Sequence, residues 1–406
     1  MNQIDYLLAG ETKRQNEGIE LIASENYPSK AVREACGSIA ICKYAEGYPR
    51  KRYYGGCKFI DQIEQLAIDN VCKLFACKYA NVQPHCGSTA NFAAFHALMP
   101  HGGVILSLDL NSGGHLTHGS PVSFSSDLYE VHFYKLDETG HIDFENLKEQ
   151  IDFYDPDVVL CGYSAYPYEI DFQRFRDVIN ECHSKAYLMA DIAHIAGLVA
   201  AQEHRSPFPW CDIVTTTTHK TLRGPRGGMI LWNRDDLTKP INSAVFPYSQ
   251  GGPLENIIAA KALMAEEALK PEFKDYIKSV KENTSRMADW FKKHGCKVHG
   301  TENHLFLLDT LESFGLNGLE AQKKLGEINI TVNKNMLPDD ILSPAKTSGL
   351  RIGTAAITSR GASIYDIDSI SEIIYKYLRN DIKKDAALEA VKDITSHLKN
   401  IEWLEY

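Results

Sequence analysis

A chain of 406 residues with ordinary shares of apolar and charged side chains has room for a large core and about two domains. Its 53 acidic and 43 basic side chains give a net charge of −10, which argues against nucleic acid or an anionic membrane as the main partner. No apolar run reaches the roughly 18 residues that span a bilayer, and the N-terminus lacks a secretory signal pattern. We therefore expect a cytoplasmic protein.

The ten cysteines are scattered, without a Cys-x-x-Cys pair or the spacing of a zinc ribbon. This pattern favours reduced thiols in a cytosol-like compartment over a disulfide framework. Cys72, Cys77 and Cys182 stand among apolar neighbours, where we expect small core side chains.

The N-terminal part of the chain alternates between polar helical stretches and loops. Residues 1–18 have the composition of a helical arm, and residues 19–28 then form an extended segment that carries Ser24 and ends at a proline. Residues 43–56 are too rich in glycine, proline and tyrosine for a regular element, so we predict a polar site loop. Their short basic run is also compatible with nucleic acid, but the chain is acidic overall.

A turn that opens a helix is the first candidate site. A helical pattern at 61–75 and a strand at 79–83 lead to the Gly-Ser-Thr turn within 84–91, and apolar residues at helical spacing follow. Backbone N–H groups, hydroxyl donors and the positive end of the helix dipole there suit a phosphate. In the alternative interpretation, Ser88 is an ordinary N-cap residue.

Two histidines, His115 and His118, follow a strand predicted at 104–108. Histidines three apart suggest a metal site, but the surrounding glycines argue against a helix that presents both on one face, and the sequence offers no third ligand nearby. We therefore expect no metal and interpret His115 as a ring that stacks on a planar ligand. A purely structural histidine is the alternative.

Strands predicted at 158–161, 186–190 and 213–218 alternate with helical stretches, which indicates a mainly parallel sheet. Asp191 and Lys220 follow the last two of these strands. Because ligands bind at the carboxyl ends of strands in open α/β sheets, both side chains are candidates for chemistry. An aspartate and a lysine at one sheet edge match the pairing that pyridoxal phosphate requires. In the alternative interpretation, Lys220 caps a strand and faces water.

The C-terminal part of the chain predicts a smaller α+β domain. A loop at 242–253 and a helix at 256–269 run to Pro271, where we place the domain boundary. Beyond it we expect three strands and a C-terminal amphipathic helix, with the strands around 304–309, 330–333 and 350–352. Arg351 stands between glycines in the last strand and fits a bidentate clamp on a carboxylate, with a structural ion pair as the alternative.

Several segments in the same order resemble the serine hydroxymethyltransferase family nearly from end to end: 20–26, 43–49, 113–119, 191–198, 215–228 and 330–335. The resemblance implies an α/β fold of type I, with an aspartate-aminotransferase-like large domain around a mainly parallel sheet. An N-terminal arm and a smaller α+β C-terminal domain complete it, with divisions at 1–40, 41–270 and 271–406.

The same resemblance implies an enzyme that reversibly transfers the hydroxymethyl carbon of serine to tetrahydrofolate, giving glycine and 5,10-methylenetetrahydrofolate. Its cofactor would be pyridoxal 5'-phosphate, bound as a Schiff base. It also implies a homodimer with shared active sites, with a tetramer as an open alternative. Neither nucleic acid nor a membrane is expected as a partner.

Matched position by position, the resemblance assigns the cofactor site. Lys220 is the Schiff-base lysine, Asp191 the partner of the pyridine nitrogen, and His115 the ring stacked on the cofactor. The phenolic oxygen side of the cofactor corresponds to Ser164 and His194. Its phosphate corresponds to residues of one subunit and of a second, namely Gly87, Ser88 and His219, and then Tyr44, Gly251 and Gly252.

The resemblance also assigns the substrate positions. Ser24 and Arg351 match the residues that bind the carboxylate of the amino acid, Glu46 matches the acid/base group, and Tyr54 matches the tyrosine that helps to bind and release substrate. Four positions match the folate site: Leu110, Gly114, Leu116 and Asn335.

The chain departs from the common family pattern at a few positions. Cys86 and Thr89 stand where many members have serine and glutamine, and Ala355 replaces a usual proline. The remaining departures are Ala345, where some bacterial members have phenylalanine, and Tyr248-Ser249, where a Gly-Gly pair is usual. These changes concern folate affinity and side-chain specificity more than cofactor chemistry.

Three other functions are compatible with parts of this pattern. A folate-independent aldolase or transaldolase, acting on threonine or another β-hydroxy amino acid, would keep Lys220 and Asp191 but need not keep Glu46 and Asn335, and both are present. A binding or regulatory protein on the same scaffold need not bind pyridoxal phosphate. A metal hydrolase built on Asp191 and His194 is the third alternative.

Overall fold

The computed structural model describes residues 2–338 and 340–406, and the chain divides into two compact units. The terminal unit joins the described residues up to Lys30 with Ala165–Tyr168 and Asp275–Tyr406. The central unit comprises Ala31–Ser164 and Glu169–Lys274. The division at 1–40, 41–270 and 271–406 stays a prediction.

The strands of the described residues are numbered in chain order. They are β1 Ile19–Glu20, β2 Gly47–Tyr48, β3 Lys51–Arg52, β4 Tyr79–Asn81, β5 Val104–Leu108, β6 Glu130–Tyr134, β7 Val158–Cys161, β8 Tyr187–Asp191, β9 Ile213–Thr217, β10 Gly228–Trp232, β11 Val298–His299, β12 Leu305–Asp309, β13 Ile330–Thr331, β14 Asn333–Asn335 and β15 Gly349–Gly353.

The α-helices are numbered in the same way. They are α1 Gln3–Glu17, α2 Lys30–Cys36, α3 Lys58–Phe75, α4 Gly87–Leu98, α5 Phe124–Leu128, α6 Phe144–Tyr154, α7 Phe172–Glu181, α8 Ala196–Ala200, α9 Thr238–Ser243, α10 Glu255–Ala268, α11 Pro271–Lys293, α12 Thr310–Phe314, α13 Gly318–Gly326, α14 Ala355–Ser359, α15 Ile364–Leu378 and α16 Lys384–His397. None of the described helices is both long enough and apolar enough to cross a bilayer.

The central unit is built on a seven-stranded sheet with the order β4-β10-β9-β8-β7-β5-β6. The five strands from β9 to β6 run parallel, whereas β10 is antiparallel to both β9 and β4. β7, β9 and β10 are buried along their whole length, which fits a central sheet covered on both faces. The sheet is therefore mainly parallel, as the sequence predicts.

The core of the central unit forms because α4 is rich in alanine. Ala90, Ala93 and Ala94 are fully buried, and their small side chains let the helix pack against residues of the sheet such as Met189 and Ile230 in one apolar cluster. The close approach brings the N-terminus of α4 to the carboxyl ends of the parallel strands. The fold thereby places a helix end where ligands bind in open α/β sheets.

The terminal unit contains an antiparallel sheet with the order β11-β12-β15-β14 and a short parallel pair of β1 with β13. Its core joins apolar residues from both ends of the chain, for example Ile19 and Leu21 with Phe306 and Ile352. Helix α15 begins with a capping box of Ser363 and Asp366, which satisfies two donors of its first turn.

Arg360 connects the two ends of the chain within the terminal unit. Arg360 is 1 % exposed, and its guanidinium donates to the carbonyl of Asn16, in the last turn of α1, at 2.8 Å and to that of Gly18, just past the helix, at 2.9 Å. Its Nε donates to the carbonyl of Lys399 at 3.2 Å. A cation at the C-terminus of a helix satisfies orphan carbonyls and interacts favourably with the helix dipole.

Most of the predicted elements are observed within a few residues, but two predicted loops contain regular structure. The segment at 43–56 includes the short antiparallel pair of β2 and β3. The segment at 242–253 begins with the end of α9 and a π-helical turn at Ala244–Ser249, which is broken at Phe246. In addition, β6 and β10 were not predicted. β6 is an edge strand with mostly half-buried residues, and β10 directly follows a glycine-rich turn, so neither has a clear alternating pattern.

Candidate active site

Asp191 and Lys220 follow neighbouring parallel strands, as the sequence predicts. β8 and β9 pair directly, with Asp191 opposite Thr215, and Lys220 comes three positions after the end of β9. Both side chains are buried, with 8 % of each residue exposed. Lys220 therefore does not cap a strand in open solvent.

A tight turn fixes the backbone around Lys220. Arg223 has a φ of 57°, and the Gly224 N–H donates to the carbonyl of Thr218 at 2.8 Å. The hydroxyl of Thr221 accepts from the Gly197 N–H at 2.9 Å and donates to the carbonyl of His194 at 3.1 Å. The residue next to the lysine is thus tied to the segment that carries His194.

Three polar groups surround the carboxylate of Asp191. Oδ2 accepts from Asn91 Nδ2 at 2.8 Å and from His118 Nε2 at 3.0 Å, and Oδ1 accepts from the Ala193 N–H at 3.0 Å. Burial alone would raise the pKa of Asp191, but the hydrogen bond and charge of His118, with smaller contributions from His115 and Asn91, hold it below its ordinary value. Asp191 is therefore ionised at neutral pH.

Asn91 is itself oriented by two hydroxyl groups. Its Nδ2 also donates to Thr117 Oγ1 at 2.8 Å, and its Oδ1 accepts from Thr215 Oγ1 at 2.6 Å. These contacts join α4, β9 and the segment after β5. A buried network in which each member has a partner is rigid, so the carboxylate of Asp191 has one defined orientation.

Gly162 allows the end of β7 to approach Asp191. It has a φ of 109°, and a Cβ placed on it would lie 1.9 Å from the carbonyl oxygen of Asp191. No side chain fits there. Two residues later the Ser164 N–H donates to the carbonyl of Gly113 at 2.9 Å, which brings Ser164 to the segment that precedes His115.

His115 and His118 lie closer together than the sequence suggested. A 3₁₀ turn at Leu116–His118, bounded by glycines in the left-handed region at 113 and 119, places the two ring centroids 5.3 Å apart. Asp191 joins them, and one potential ligand atom from each residue lies within 4.8 Å of the others. The expectation that no third ligand is near was wrong, because the third comes from a different strand. The absence of a metal stays a prediction.

The turn before α4 packs tightly against the ends of β9 and β10. A Cβ on Gly87 would lie 2.7 Å from Thr217 Cγ2, and one on Gly228 would lie 2.3 Å from the carbonyl oxygen of Cys86. Cys86, not Ser88, is the N-cap residue, since α4 begins at Gly87. Ser88 is exposed in the first turn, so the interpretation of Ser88 as the N-cap was wrong.

His219 adds a polar group between the end of β9 and Lys220. Its Nδ1 is buried and has no hydrogen-bond partner among the described residues. Burial, with the nearby charges of Arg226 and Lys220, lowers the pKa of His219 to about 3. The ring is therefore neutral at neutral pH and retains hydrogen-bonding capacity for a ligand.

Lys261 of α10 holds the backbone beneath this turn. It is fully buried, and its Nζ donates to the carbonyls of Val82 at 2.6 Å, Gly228 at 2.8 Å and Pro84 at 3.1 Å. Burial lowers the pKa of Lys261 to about 7. Two carbonyls of the loop after β4 and one at the start of β10 are thereby tied to one helix.

Tyr44, Glu46, Gly251 and Gly252 form a second cluster in the central unit. A Cβ on Gly252 would lie 3.1 Å from the ring of Tyr44, and one on Gly251 would lie 3.2 Å from Glu46 Oε1. The ring of Tyr44 also makes an edge contact with Tyr54 at 5.1 Å, and both tyrosines are about half exposed.

Arg52 of β3 fixes the backbone on both sides of Glu46. Its Nη1 donates to the carbonyls of Ala45 at 2.8 Å and Gly47 at 3.0 Å. Its Nη2 donates to Glu64 at 2.6 Å and its Nε to Asp61 at 2.9 Å, while only 3 % of its side chain is exposed. A buried arginine with this many contacts makes the position of Glu46 well defined.

The segment around His115 exposes apolar side chains. Leu110 and Leu116 are 39 % and 48 % exposed. Gly114 lies between them, where a Cβ would meet the carbonyl oxygen of Leu108 at 2.2 Å, so only glycine fits. Two exposed leucines on a rigid turn offer an apolar surface to a ligand.

Arg351 and Ser24 come together in the terminal unit. Arg351 Nη2 donates to Ser24 Oγ at 3.4 Å, and its Nε donates to Asn333 Oδ1 at 3.1 Å. A Cβ on Gly353 would lie 2.5 Å from Cα of Ala23, so glycine permits the close approach of the two segments. Burial lowers the pKa of Arg351 to about 10, which leaves it charged at neutral pH.

Asn335 lies at the end of β14 in the same unit. Its Nδ2 donates to the carbonyl of Met336 at 2.6 Å. β14 pairs with β15, so Asn335 stands opposite Gly349 in the sheet that carries Arg351.

Comparison with known proteins agrees with this architecture. The model of the serine hydroxymethyltransferase family matches residues 1–374.

The chain belongs to the serine hydroxymethyltransferase family.

Individual members of the family are similar over nearly their whole length. A serine hydroxymethyltransferase of Lactobacillus gasseri is 53 % identical over 393 residues, which cover 96 % of this chain and 95 % of the relative. One of Crocosphaera subtropica is 52 % identical over 386 residues, 93 % of this chain and 90 % of the relative. A probable serine hydroxymethyltransferase of Mesomycoplasma hyopneumoniae is 50 % identical over 399 residues, 98 % and 94 % respectively.

The donor set of the central unit fits the pyridoxal phosphate expected of a serine hydroxymethyltransferase family member. A buried lysine and an ionised aspartate end neighbouring strands, and the N-terminus of α4 and the buried Nδ1 of His219 suit a phosphate. The aldehyde, ring nitrogen and phosphate of such a cofactor each have a chemically matched group.

Sequence reasoning missed several residues that shape this site. Asn91, Thr117 and Thr215 support Asp191, while His118 entered only as a metal candidate. An asparagine between buried alanines in α4 is the one signal that the sequence offered. Arg52 and Lys261 gave none, because their partners are distant in sequence.

Proposed function

We propose that this chain is an enzyme that reversibly transfers the hydroxymethyl carbon of serine to tetrahydrofolate, giving glycine and 5,10-methylenetetrahydrofolate. The observation that carries the proposal is the buried pair at the sheet edge: Asp191, held ionised by His118, ends the strand next to the one that leads to Lys220. The likeness to family members over nearly the whole chain supports the choice of reaction.

The central unit would hold pyridoxal 5'-phosphate. Lys220 would supply the amine for the cofactor's aldehyde, Asp191 would serve the ring nitrogen, and His115 would serve the ring. His194 and Ser164 serve the phenolic oxygen side. The phosphate receives donors from one subunit and from a second, namely Gly87, Ser88 and His219, and then Tyr44, Gly251 and Gly252.

When bound, the cofactor supplies a ring that takes up the electron pair released at the α-carbon of the amino acid. The ionised Asp191 keeps the proton on the ring nitrogen, and the network through Asn91 fixes the direction of its carboxylate. Lys220 would hold the cofactor through its amine, and the same amine could hold or move a proton near the α-carbon of the amino acid.

Glu46 is the proposed acid/base group. It would hold or move the proton of the serine hydroxyl or of the folate nitrogen, for which a fixed backbone matters. Arg52 provides that fixed backbone by holding both neighbouring carbonyls. Tyr54 assists binding and release of the amino acid.

The substrate carboxylate would be bound by Arg351 and Ser24. A guanidinium that is already oriented by Asn333 and Ser24 binds a carboxylate without losing much side-chain entropy. Such orientation selects which bond at the α-carbon is broken. The folate contacts proposed are Leu110, Gly114, Leu116 and Asn335.

We further propose a homodimer in which Tyr44, Gly251 and Gly252 serve the partner's cofactor. The central unit exposes large apolar side chains, namely Ile39 at 86 %, Tyr53 at 76 % and Phe59 at 69 %. Exposed apolar patches often mark interfaces between proteins. Association into a tetramer and a cytoplasmic location stay predictions.

The deciding experiment is a visible absorption spectrum of the cofactor-loaded protein with glycine, before and after tetrahydrofolate is added. We expect glycine to change the spectrum and folate to increase the long-wavelength band strongly, because both ligands act on one α-carbon. A response to glycine without a response to folate would favour the folate-independent aldolase or transaldolase. No response to pyridoxal phosphate at all would favour a binding protein.

A further inference from the structure

The C-terminus of α3 brings two cysteines together. After Phe75 the chain turns through Ala76, which is in the left-handed region with a φ of 50°, and the Cys77 N–H donates to the carbonyl of Cys72 at 3.1 Å. This hydrogen bond spans six residues and is typical of a Schellman motif. In that motif the side chains of the first and last of the six residues frequently contact each other. Here both residues are cysteine.

The two thiols differ in exposure and in pKa. Cys77 is only 8 % exposed and Cys72 is half-buried. The neighbouring Cys77 thiol lowers the pKa of Cys72, although burial and the charge of Asp69 oppose this shift. The Cys72 thiol and burial raise the pKa of Cys77. Cys72 is therefore the better nucleophile and Cys77 the resolving thiol.

We propose that Cys72 and Cys77 form a redox site in which a peroxide oxidises the two thiols to an intramolecular disulfide. The Cys72 thiolate attacks one peroxide oxygen, the O–O bond breaks, and one water leaves once a proton is taken up. The Cys77 sulfur then attacks the resulting sulfenic acid, an S–S bond forms, and a second water leaves. Two thiols are oxidised by two electrons in total, and one hydrogen peroxide is reduced to two waters.

A second pair of cysteines differs from Cys72 and Cys77 in its exposure to solvent. Cys161 and Cys211 are also neighbours, but only 0 % and 4 % of these residues are exposed. Cys42 and Cys86 are exposed single thiols. The pair at the end of α3 alone among these combines a neighbouring thiol with access to small oxidants.

The test treats the full-length, cofactor-loaded protein with one equivalent of hydrogen peroxide, followed by thiol alkylation and digestion after lysine. Because Lys73 lies between the two cysteines, cleavage gives fragments 59–73 and 74–78, which remain linked only if the disulfide has formed. We expect the linked pair to appear and to vanish after reduction with dithiothreitol. Alkylated, unlinked fragments beside oxidised Cys42 or Cys86 would overturn the proposal.

Single substitutions separate the two roles. In Cys77→Ser we expect Cys72 to stop at the sulfenic acid, which a 1,3-dicarbonyl reagent traps. In Cys72→Ser we expect Cys77 to stay reduced under the same dose, and in Cys42→Ser we expect the linked pair to form as in the parent protein. Equal trapping in both single variants would contradict the assigned order of attack. The fragment analysis of the unsubstituted protein decides the disulfide itself, even if a variant folds poorly.

Discussion

At the scale of single residues, the chemistry depends on side chains that touch neither substrate nor cofactor. His118 and Asn91 are the best example, because they maintain the charge of Asp191 in a buried site. Hydrogen bonds to a charged group contribute about 1.5–3 kcal/mol each. Removing one should therefore change the function of Asp191 without altering the fold.

We expect Asn91→Ala to lower kcat about tenfold or more. Loss of the Nδ2 donor removes a bond that orients the carboxylate of Asp191, which stays ionised because His118 remains. The measurement is kcat with serine and tetrahydrofolate. Asn70→Ala, which removes a hydrogen bond from α3 to a carbonyl of α10, is the control and should leave kcat unchanged.

Lys220→Ala should abolish serine turnover while the protein remains folded, because the amine for the cofactor aldehyde is lost. The measurement is the rate of formation of glycine from serine with tetrahydrofolate. Lys239→Ala, an exposed lysine of α9, should retain full activity. Wild-type-like cleavage of serine by Lys220→Ala would exclude the assigned role.

Arg52 allows a test in which stability and positioning are separated. Arg52→Met leaves Glu64 buried without its cation and should cost about 3–5 kcal/mol of unfolding free energy in urea. Arg52→Lys keeps the charge but cannot hold both carbonyls beside Glu46, so we expect a lower kcat at near-normal stability. Arg286→Lys, an exposed ion pair with Asp368, should change either quantity little. An Arg52→Met variant as stable as the parent would contradict the argument.

Lys220 and Asp191 could be predicted from the sequence because each follows a recognisable strand. Arg52, Asn91 and Lys261 could not be predicted, because their roles arise from contacts with residues far away in the chain. The sequence alone does not distinguish a buried arginine from a surface arginine. The supporting residues of the site are therefore a property of the fold, whereas the strand-end residues are already visible in local pattern.

At the scale of elements, regular strands were predictable where β-branched residues are continuous. β5, β7 and β9 were located almost to the residue, since each is short and rich in apolar or β-branched residues. The π-helical turn at 244–249 was not, because proline and serine there have the composition of a loop. The 3₁₀ turn that brings His115 to His118 was not predicted either, because it is set by two glycines in the left-handed region.

β1 offers a prediction about pH at this scale. Glu20 is 5 % exposed, and burial, with the neighbouring Glu25, raises its pKa to about 8. A carboxyl with a raised pKa in the folded state stabilises it fully below the unfolded value of about 4.3, and this stabilisation is lost as the pH rises to about 8. Glu20→Gln keeps a donor for Glu25 without the charge.

We therefore expect Glu20→Gln to match the parent near pH 5 and to exceed it near pH 9, by on the order of 2 kcal/mol given the coupling to Glu25. The measurement is the free energy of unfolding in urea at several pH values. Glu17→Gln, at the exposed end of α1, is the control and should follow the parent. Parallel curves for Glu20→Gln and the parent would contradict the raised pKa.

At the scale of the whole molecule, shared active sites can be tested by mixing inactive variants. Lys220→Ala and Tyr44→Ala should each be nearly inactive alone. If Tyr44 serves the partner's cofactor, co-expression of the two should restore about a quarter of parent activity, because half of the dimers are mixed and each has one intact site. Activity no greater than the sum of the two single variants would place Tyr44 in the site of its own subunit.

The connection of both chain ends through Arg360 also bears on how the protein is made. During synthesis α1 is made long before Arg360, which binds the carbonyls at its end, and β1 is made long before β13, with which it pairs. At about 5–20 residues per second this delay is roughly 20–70 s. Helix α1 has no buried residue of its own, so the nascent helix is accessible to proteases and chaperones until Arg360 has been made. The central unit, whose segments lie between residues 31 and 274, can fold during that time.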